Sequence, residues 1–454
     1  MDRTYLKWYN KIGYGSGDIA GNVVYALLSS FMMIYLTDTV GLSAGVVGSL
    51  MAASKLFDGV TDIFFGSMID KTHTRMGKAR PWMFGGFFGC AATLVLVFAI
   101  PAGIGTTAQY AWFFITYTLL NAVFYTANNI AYSALTALIT KNQSERVQMG
   151  SIRFIFAFGT SMLIQAGTVK LVQMTGGGAA GWRNAAILYA LLGLAINSLS
   201  VFSVKELPPE ELAEAKAPGQ PEEAYRLWDA VRLLAANKYY LIICGVYILT
   251  QLYTATLNMG IYFMIYILGN ESLLGVFSMA INIPMIAGLI LTPVLVKRLG
   301  GMYRLNLSGY ALSAAARALV VVGAYIGSIP MMLLFSGVAA LGMSPLQGDL
   351  NALIATCSEY TYLTRRKRID GTMYSCTSLG VKIGGGLGVA LAGWLLDASG
   401  YIPNAAVQAD SCITMLYFMY LWLPMLLNLV ITFLLSRLKV EQANARLTAG
   451  KTMG

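Results

Sequence analysis

The sequence predicts an all-α membrane protein with twelve transmembrane helices in two six-helix bundles. Three observations carry that prediction. Of 454 residues, 57% are hydrophobic and 11% are charged, and mean hydropathy is +0.64; soluble domains carry about 25% charged residues. Apolar stretches near or above the ~20 residues needed to cross hydrocarbon recur along the whole chain. Lysine and arginine collect in every second loop between them, as the positive-inside rule requires.

The stretches run at roughly 11–37, 43–68, 82–101, 108–140, 150–174, 183–204, 237–267, 272–297, 304–327, 329–357, 371–397 and 408–436. Residues 1–10 are basic and aromatic and lack a small-residue cleavage site, which suits a cytoplasmic anchor rather than a signal peptide. With the N-terminus inside, the inside loops hold Lys71, Arg75, Lys78 and Arg80, then Lys141 and Arg146, then Lys205, Lys216 and Arg226. They continue with Lys297, Arg298 and Arg304, then Arg365, Arg366, Lys367 and Arg368, and end in a tail with Arg437, Lys439, Arg446 and Lys451. Arg183 is the clear exception on the other side. Both termini are therefore expected in the cytoplasm, and the net charge of +10 needs no nucleic acid to explain it. The connector 205–235 is polar and proline-rich. It separates a bundle at 1–204 from a bundle at 236–437, and a tail at 438–454 follows.

Several classes drop out. Cys90, Cys244, Cys357, Cys376 and Cys412 have no CxxC spacing, so neither a disulfide framework nor a metal site is implied. His73, the single histidine, lies in a basic loop, which leaves no histidine-ligated metal and no histidine-based triad. A membrane-embedded enzyme would need a nucleophile–base pair or a metal, and neither is present. No cofactor is expected. The glycines at 384–388 sit inside an apolar stretch with no preceding strand and no GK[ST], so they read as a packing seam rather than a phosphate loop.

The polar residues inside the apolar stretches carry the chemistry. In Lys55-Leu-Phe-Asp58-Gly-Val-Thr61-Asp62, two carboxylates lie one helical turn apart on one face. A charge at mid-membrane costs at least ~2.5–3.5 kcal/mol, so such residues face a cavity or bind something. Asp58, Asp62, Thr61 and a hydroxyl from a neighbouring helix would make a hard oxygen site for a small cation or protons. The bland reading is a pair neutralised by a nearby cation such as Lys55. Asp18 in the first stretch, Tyr125, Thr126 and Asn129 in the fourth, Arg153 in the fifth, and Thr377, Ser378 and Lys382 in the eleventh are further polar positions. Carboxylates, amides and guanidinium groups bind sugar hydroxyls because each holds two oxygens in a plane. Tyr125 offers an apolar face to a sugar ring. Arg317 reads as a snorkelling or structurally paired residue.

Tyr14-Gly-Ser-Gly-Asp18, Tyr35-Leu-Thr-Asp38-Thr-Val-Gly-Leu and Lys55-Leu-Phe-Asp58-Gly-Val-Thr-Asp62 resemble the glycoside–pentoside–hexuronide:cation symporters, the melibiose permease family. So do Gly66-Ser-Met-Ile-Asp70-Lys-Thr-His-Thr-Arg75-Met-Gly-Lys78-Ala-Arg80-Pro-Trp82 and Arg368-Ile-Asp370-Gly371 leading into Lys382. The resemblance runs in order along nearly the whole chain. It implies a major facilitator fold and sugar uptake coupled to Na⁺, Li⁺ or H⁺ by alternating access, in a bacterial cytoplasmic membrane and as a monomer. Asp58 and Asp62 match the family's cation carboxylates, Thr126 its hydroxyl, and Thr61 the place of an asparagine. Asp18 and Arg153 match sugar-binding positions, Lys382 a lysine near both sites, and Gln347 the place of a tryptophan facing the sugar.

The departures bear on the substrate. Asn129 stands for a sugar-binding aspartate, Gly17 for a lysine and Ser133 for a stacking tryptophan. The site loses stacking surface and a carboxylate, which disfavours melibiose and admits a hexuronide or another anionic glycoside. The basic loops at 71–80 and 365–368 read as inside gates, with Arg75 and Arg368 pairing with Asp70, Glu359 and Asp370. Plain topology signal and contact with anionic lipid account for the same charges. The alternative function is a relative that carries a non-sugar amphiphile or works as a uniporter.

Overall fold

A computed structural model describes residues 4–140, 142–208, 232, 234–365 and 370–452. Among the described residues there is no strand, only one isolated bridge between Thr74 and Gly77. The helices are α1 (Trp8–Val40), α2 (Ala44–Lys71), α3 (Arg80–Val97), α4 (106–139), α5 (Gln143–Met174) and α6 (Gly178–Ser203). After the connector come α7 (Lys238–Tyr266), α8 (Leu273–Leu299), α9 (Met302–Tyr325), α10 (Ile329–Arg365), α11 (Asp370–Ala398), α12 (410–437) and the tail helix α13 (Val440–Thr452).

Ten stretches among the described residues are long and apolar enough to cross a membrane. The two other expected spans are helical and long, but they fall outside that set. In α2 the charges of Lys55, Asp58 and Asp62 dilute the apolar run. Up to Lys297, the exposed side chains of α8, among them Ile283, Ile290, Leu291 and Val294, are apolar, as a lipid-facing helix requires.

The helix ends follow local chemistry. The Ser43 hydroxyl accepts the Val46 amide at the start of α2. Pro81 opens α3, where its missing N–H is harmless. Asn237 caps α7 through the amides of Tyr239 and Tyr240. Its own amide then donates to the Cys357 carbonyl and the Thr361 hydroxyl. Inside α1, α4 and α12, π-helical turns at Tyr35–Val40, Leu119–Tyr125 and Phe418–Trp422 widen the coil. Such turns redirect side chains and cluster at functional sites.

The chain resolves into two compact units. The first gathers the described residues of Met1–Gln220, Gly260–Ser278 and Val389–Ile413; the second gathers those of Pro221–Met259, Met279–Gly388 and Thr414–Gly454. Within the first, α1, α3, α4 and α6 close around Tyr14, Met83, Tyr132 and Val201. Within the second, Tyr240, Tyr247, Tyr310, Leu346 and Ile431 form the core. Arg317 is 1% exposed there, its guanidinium donating to the Tyr253 hydroxyl, in line with a structural role.

One device occurs in both units. The Glu206 carboxylate, just after α6, accepts the amides of Lys78, Ala79 and Arg80 at the start of α3 (2.7–3.1 Å). The Glu441 carboxylate, just after α12, accepts the amides of Met302 and Tyr303 at the start of α9 (3.1 and 2.9 Å). Gly77 (φ +111°) and Gly301 (φ +134°) precede the two sites, and a Cβ on either would run into the glutamate. A carboxylate on free N-terminal amides is favourable both as hydrogen bonding and against the helix dipole.

Candidate functional site

In the first unit, α2 and α4 bring Asp58 and Thr126 together. Asp58 is 7% exposed, and the Thr126 hydroxyl donates to its Oδ1. The same hydroxyl lies 2.9 Å from the Asn121 carbonyl, five residues back across the π turn at Leu119–Tyr125. The Lys55 ammonium donates to Asn121 Oδ1 at 3.3 Å. Asp62 follows Asp58 by one turn and is half-buried. The Thr61 hydroxyl donates to its own helix, at the carbonyls of Phe57 and Asp58 (both 3.1 Å), so its lone pairs rather than its proton remain for a ligand.

Two groups beside Asp58 had no signal in the sequence. Ser54, one turn before Asp58 on α2, is buried, and its hydroxyl has no partner among the described residues. The Asn121 side-chain amide nitrogen is likewise buried without one. Unsatisfied buried polar atoms beside a carboxylate suit a place where an ion or water completes the bonding. A lone serine in an apolar helix gives no sequence pattern to find.

A second cluster joins Asp18 on α1 to Arg153 on α5. Arg153 Nε donates to Asp18 Oδ2 at 2.6 Å, and the Tyr132 hydroxyl reaches the same oxygen at 3.1 Å. The guanidinium lies 4.1 Å from the Tyr132 ring centroid and 6.0 Å from that of Tyr14. The Tyr14 hydroxyl donates to the Tyr132 carbonyl at 2.9 Å. Arg153 Nη1 also donates to the Tyr14 hydroxyl at 3.4 Å, so the pair neutralises itself in an aromatic cradle. Tyr132 was not singled out from the sequence, and Tyr14 only as part of the Tyr14–Asp18 motif, because tyrosines are common here and only the fold aims these two at one arginine.

Tyr125 lies on the π turn with its hydroxyl toward Gly21. Asn129, one turn on, is exposed, whereas Asn128 is buried and donates to the Met83 carbonyl (2.8 Å) and Asn197 Oδ1 (3.1 Å). Gln347 on α10 is exposed and Lys382 on α11 is half-buried; both belong to the second unit. The side chains of Thr377 and Ser378 lie outside the described residues, as do those of Asp70 and Asp370 and all of Arg368. Arg75 is exposed and Glu359 half-buried. The 71–80 loop is held by the Glu206 carboxylate on its backbone, by Arg80 Nε on the Val201 carbonyl (2.9 Å) and by the Trp82 indole on the Thr72 hydroxyl (2.8 Å).

Among the described residues no group of three or more histidine, cysteine or acidic side chains is set to hold a metal ion. The arrangement in the first unit is one oxygen-rich carboxylate site between α2 and α4 and one guanidinium–carboxylate–tyrosine cluster at α1, α4 and α5.

Comparison with known proteins agrees with this picture. The family model for MFS/sugar transport proteins matches residues 13–442. The chain is 26% identical over 430 residues to the isoprimeverose transporter of Lactiplantibacillus pentosus, covering 93% of this chain and 87% of that protein. It is 26% identical over 447 residues to the putative glycoside/cation symporter YagG of Escherichia coli (strain K12), covering 97% and 94%. The crystal structure of the nucleoside transporter NupG superposes with a TM-score of 0.64 at 13% identity, covering 94% of this chain and 98% of that one, which shows the shared fold. Membership rests on a match that spans nearly the whole chain, and it places the protein among multi-pass membrane transporters and not among enzymes. The chain belongs to the MFS/sugar transport protein family.

Proposed function

We propose that this transporter carries a glycoside, pentoside or hexuronide together with a monovalent cation by alternating access. The observation that carries the reading is the buried Asp58 carboxylate with the Thr126 hydroxyl on it, one turn from Asp62 in a membrane helix. A bare carboxylate pair resists burial. Neutralisation of Asp58 and Asp62 by Na⁺, Li⁺ or H⁺, with Thr61 and Thr126 as further oxygens, then favours sugar binding. Cation and sugar coupling is reciprocal and typically ~1–3 kcal/mol. Asp18 and Arg153 hold sugar hydroxyls in the first bundle; Tyr125 and Asn129 line the same space; Gln347, Thr377, Ser378 and Lys382 contribute from the second. The bundles are 1–204 and 236–437 with both termini cytoplasmic, the membrane is the bacterial inner membrane, and the working unit is the monomer. The inside gate draws on Asp70, Arg75, Glu359, Arg368 and Asp370.

The relatives' names support a sugar, with isoprimeverose as the natural first probe. Loss of an acidic residue at Asn129 favours a hexuronide as the second. The test is uptake of labelled isoprimeverose and methyl β-glucuronide into vesicles under an imposed Na⁺ or pH gradient, for the parent and Asp58→Cys. Accumulation driven by one ion and abolished by Asp58→Cys is expected. Simple equilibration in the parent would overturn the coupled reading, and no movement of either probe would overturn the substrate class.

A further inference from the structure

At the end of the first unit away from the 71–80 loop, a carboxylate is held by hydroxyls. Asp38 Oδ1 accepts the Tyr401 hydroxyl (2.6 Å) and the Thr37 hydroxyl (2.6 Å), and Oδ2 accepts the Tyr266 hydroxyl (2.9 Å). The Asn404 amide donates to the Asp38 backbone carbonyl at 2.5 Å. Tyr262 joins through Thr37 (2.8 Å), and its ring meets that of Tyr401 edge-on, centroids 5.4 Å apart. All the side-chain partners of Asp38 among the described residues are hydroxyls. Burial first, and then Asp38 itself, push the Tyr401 hydroxyl well above the ordinary tyrosine range, so it stays a donor.

Beside this cluster, still within the first unit, lies a cavity of about 720 Å³, within the range of small-molecule sites. Its wall includes Asp38, Tyr266, Trp182, Glu271 and Asp410, with no lysine or arginine. Trp182 is held from behind by Phe98, stacked at 5.9 Å, and by Phe31 and Tyr35. The cavity therefore combines a fixed aromatic wall with carboxylates, one of which already accepts several hydroxyls at once. A sugar presents the same donors on an adjacent-hydroxyl spacing, together with an apolar ring face.

We propose that this cavity is an outer docking site for the transported sugar, whose hydroxyls replace those of Tyr266 and Tyr401 on Asp38. The exchange loosens the bonds that tie α1 to the ends of α7 and α11. The end of α11 also meets the start of α2, where Trp394 donates to the Ser49 hydroxyl (2.8 Å) and the Ser43 hydroxyl to Asp397 (3.0 Å). Sugar bound at Asp38 thus opens the outer side before it reaches Asp18 and Arg153. This inference rests on the sugar-transport reading and on the orientation proposed with it.

The test places a reporter on the cavity wall. Val407, 85% exposed and lining the cavity, becomes cysteine in the full chain, in right-side-out vesicles. Its labelling by a membrane-impermeant maleimide is timed with and without millimolar isoprimeverose or methyl β-glucuronide, against the parent's own cysteines as background. Sugar should slow labelling. The protecting concentration should rise roughly tenfold or more in Asp38→Asn, as loss of a charge-assisted hydrogen bond predicts, and also in Glu271→Gln, a second wall variant that leaves the hydroxyl bonds on Asp38 intact. Protection should survive Arg153→Ala, which removes the inner site. Uptake of a probe by the parent without protection overturns the docking site alone; neither uptake nor protection overturns the transport reading as well. Protection that vanishes with Arg153→Ala, or persists unchanged in both Asp38→Asn and Glu271→Gln, also overturns the docking site.

Discussion

Replacing Thr126 by valine removes one hydroxyl from the Asp58 site and almost nothing else, since the two side chains have nearly the same shape. The sign of the effect is informative. Thr126 donates to Asp58 Oδ1 and lies 2.9 Å from the Asn121 carbonyl. In the ion-free carrier that proton stabilises the bare carboxylate; in the ion-bound carrier the oxygen lone pairs face the cation. If only the first contact mattered, Thr126→Val would tighten cation binding. With the oxygen as a ligand, binding weakens. A hydrogen bond or ligand contact to a charged group is worth ~1.5–3 kcal/mol, and at 1.4 kcal/mol per decade that is roughly 10- to 150-fold in the half-activating cation concentration. The assay is the initial rate of sugar uptake against external cation at saturating sugar, with Thr126→Ser as the variant that restores the parent value. The reasoning is refuted if the half-activating concentration is unchanged or falls while the variant remains folded.

Other expectations follow from neighbouring contacts. Arg153→Lys keeps the charge opposite Asp18 but loses the planar fork, so sugar affinity should drop while thermal stability changes little; a variant with parent affinity would show that the guanidinium does not touch sugar. Glu206→Ala strips the carboxylate from three amides at the start of α3 and should lower stability by about 1 kcal/mol, the worth of a helix cap, read as an earlier melting transition. Glu145 gives a pH test. Burial raises its pKa, but hydrogen bonds from Thr140, the Leu6 and Tyr5 amides and Lys11 outweigh burial and hold it below the usual range. A depressed carboxylate contributes stability above its unfolded pKa of about 4.3 and loses it as pH falls through the folded value. Melting of the parent should therefore decline more steeply below about pH 4.3 than melting of Glu145→Gln; parallel curves would remove Glu145 from the account.

What the sequence alone determined is the membrane class, the succession of apolar spans and the carboxylate helix. These depend on length, hydropathy and a four-residue spacing, and each is visible within a short window. Asp58 with Asp62, and Asp18 with Arg153, stood out because a charge in an apolar run is costly wherever the chain goes. The tertiary structure decided the rest. Tyr132 and Tyr14 around Arg153, Ser54 and Asn121 beside Asp58, and Glu206 on the α3 amides are ordinary residues whose roles come from partners up to 139 positions away. The π turn before Thr126 has no composition of its own, since it registers how α4 packs on α2. Asp38 was legible only as part of a motif. Its four aromatic and hydroxyl companions come from three separate stretches of chain, brought to one carboxylate by folding. Local patterns set what each helix is, because hydrogen bonding and burial in lipid leave a segment little choice; which polar groups meet is set by distant packing, to which no single segment's pattern is sensitive.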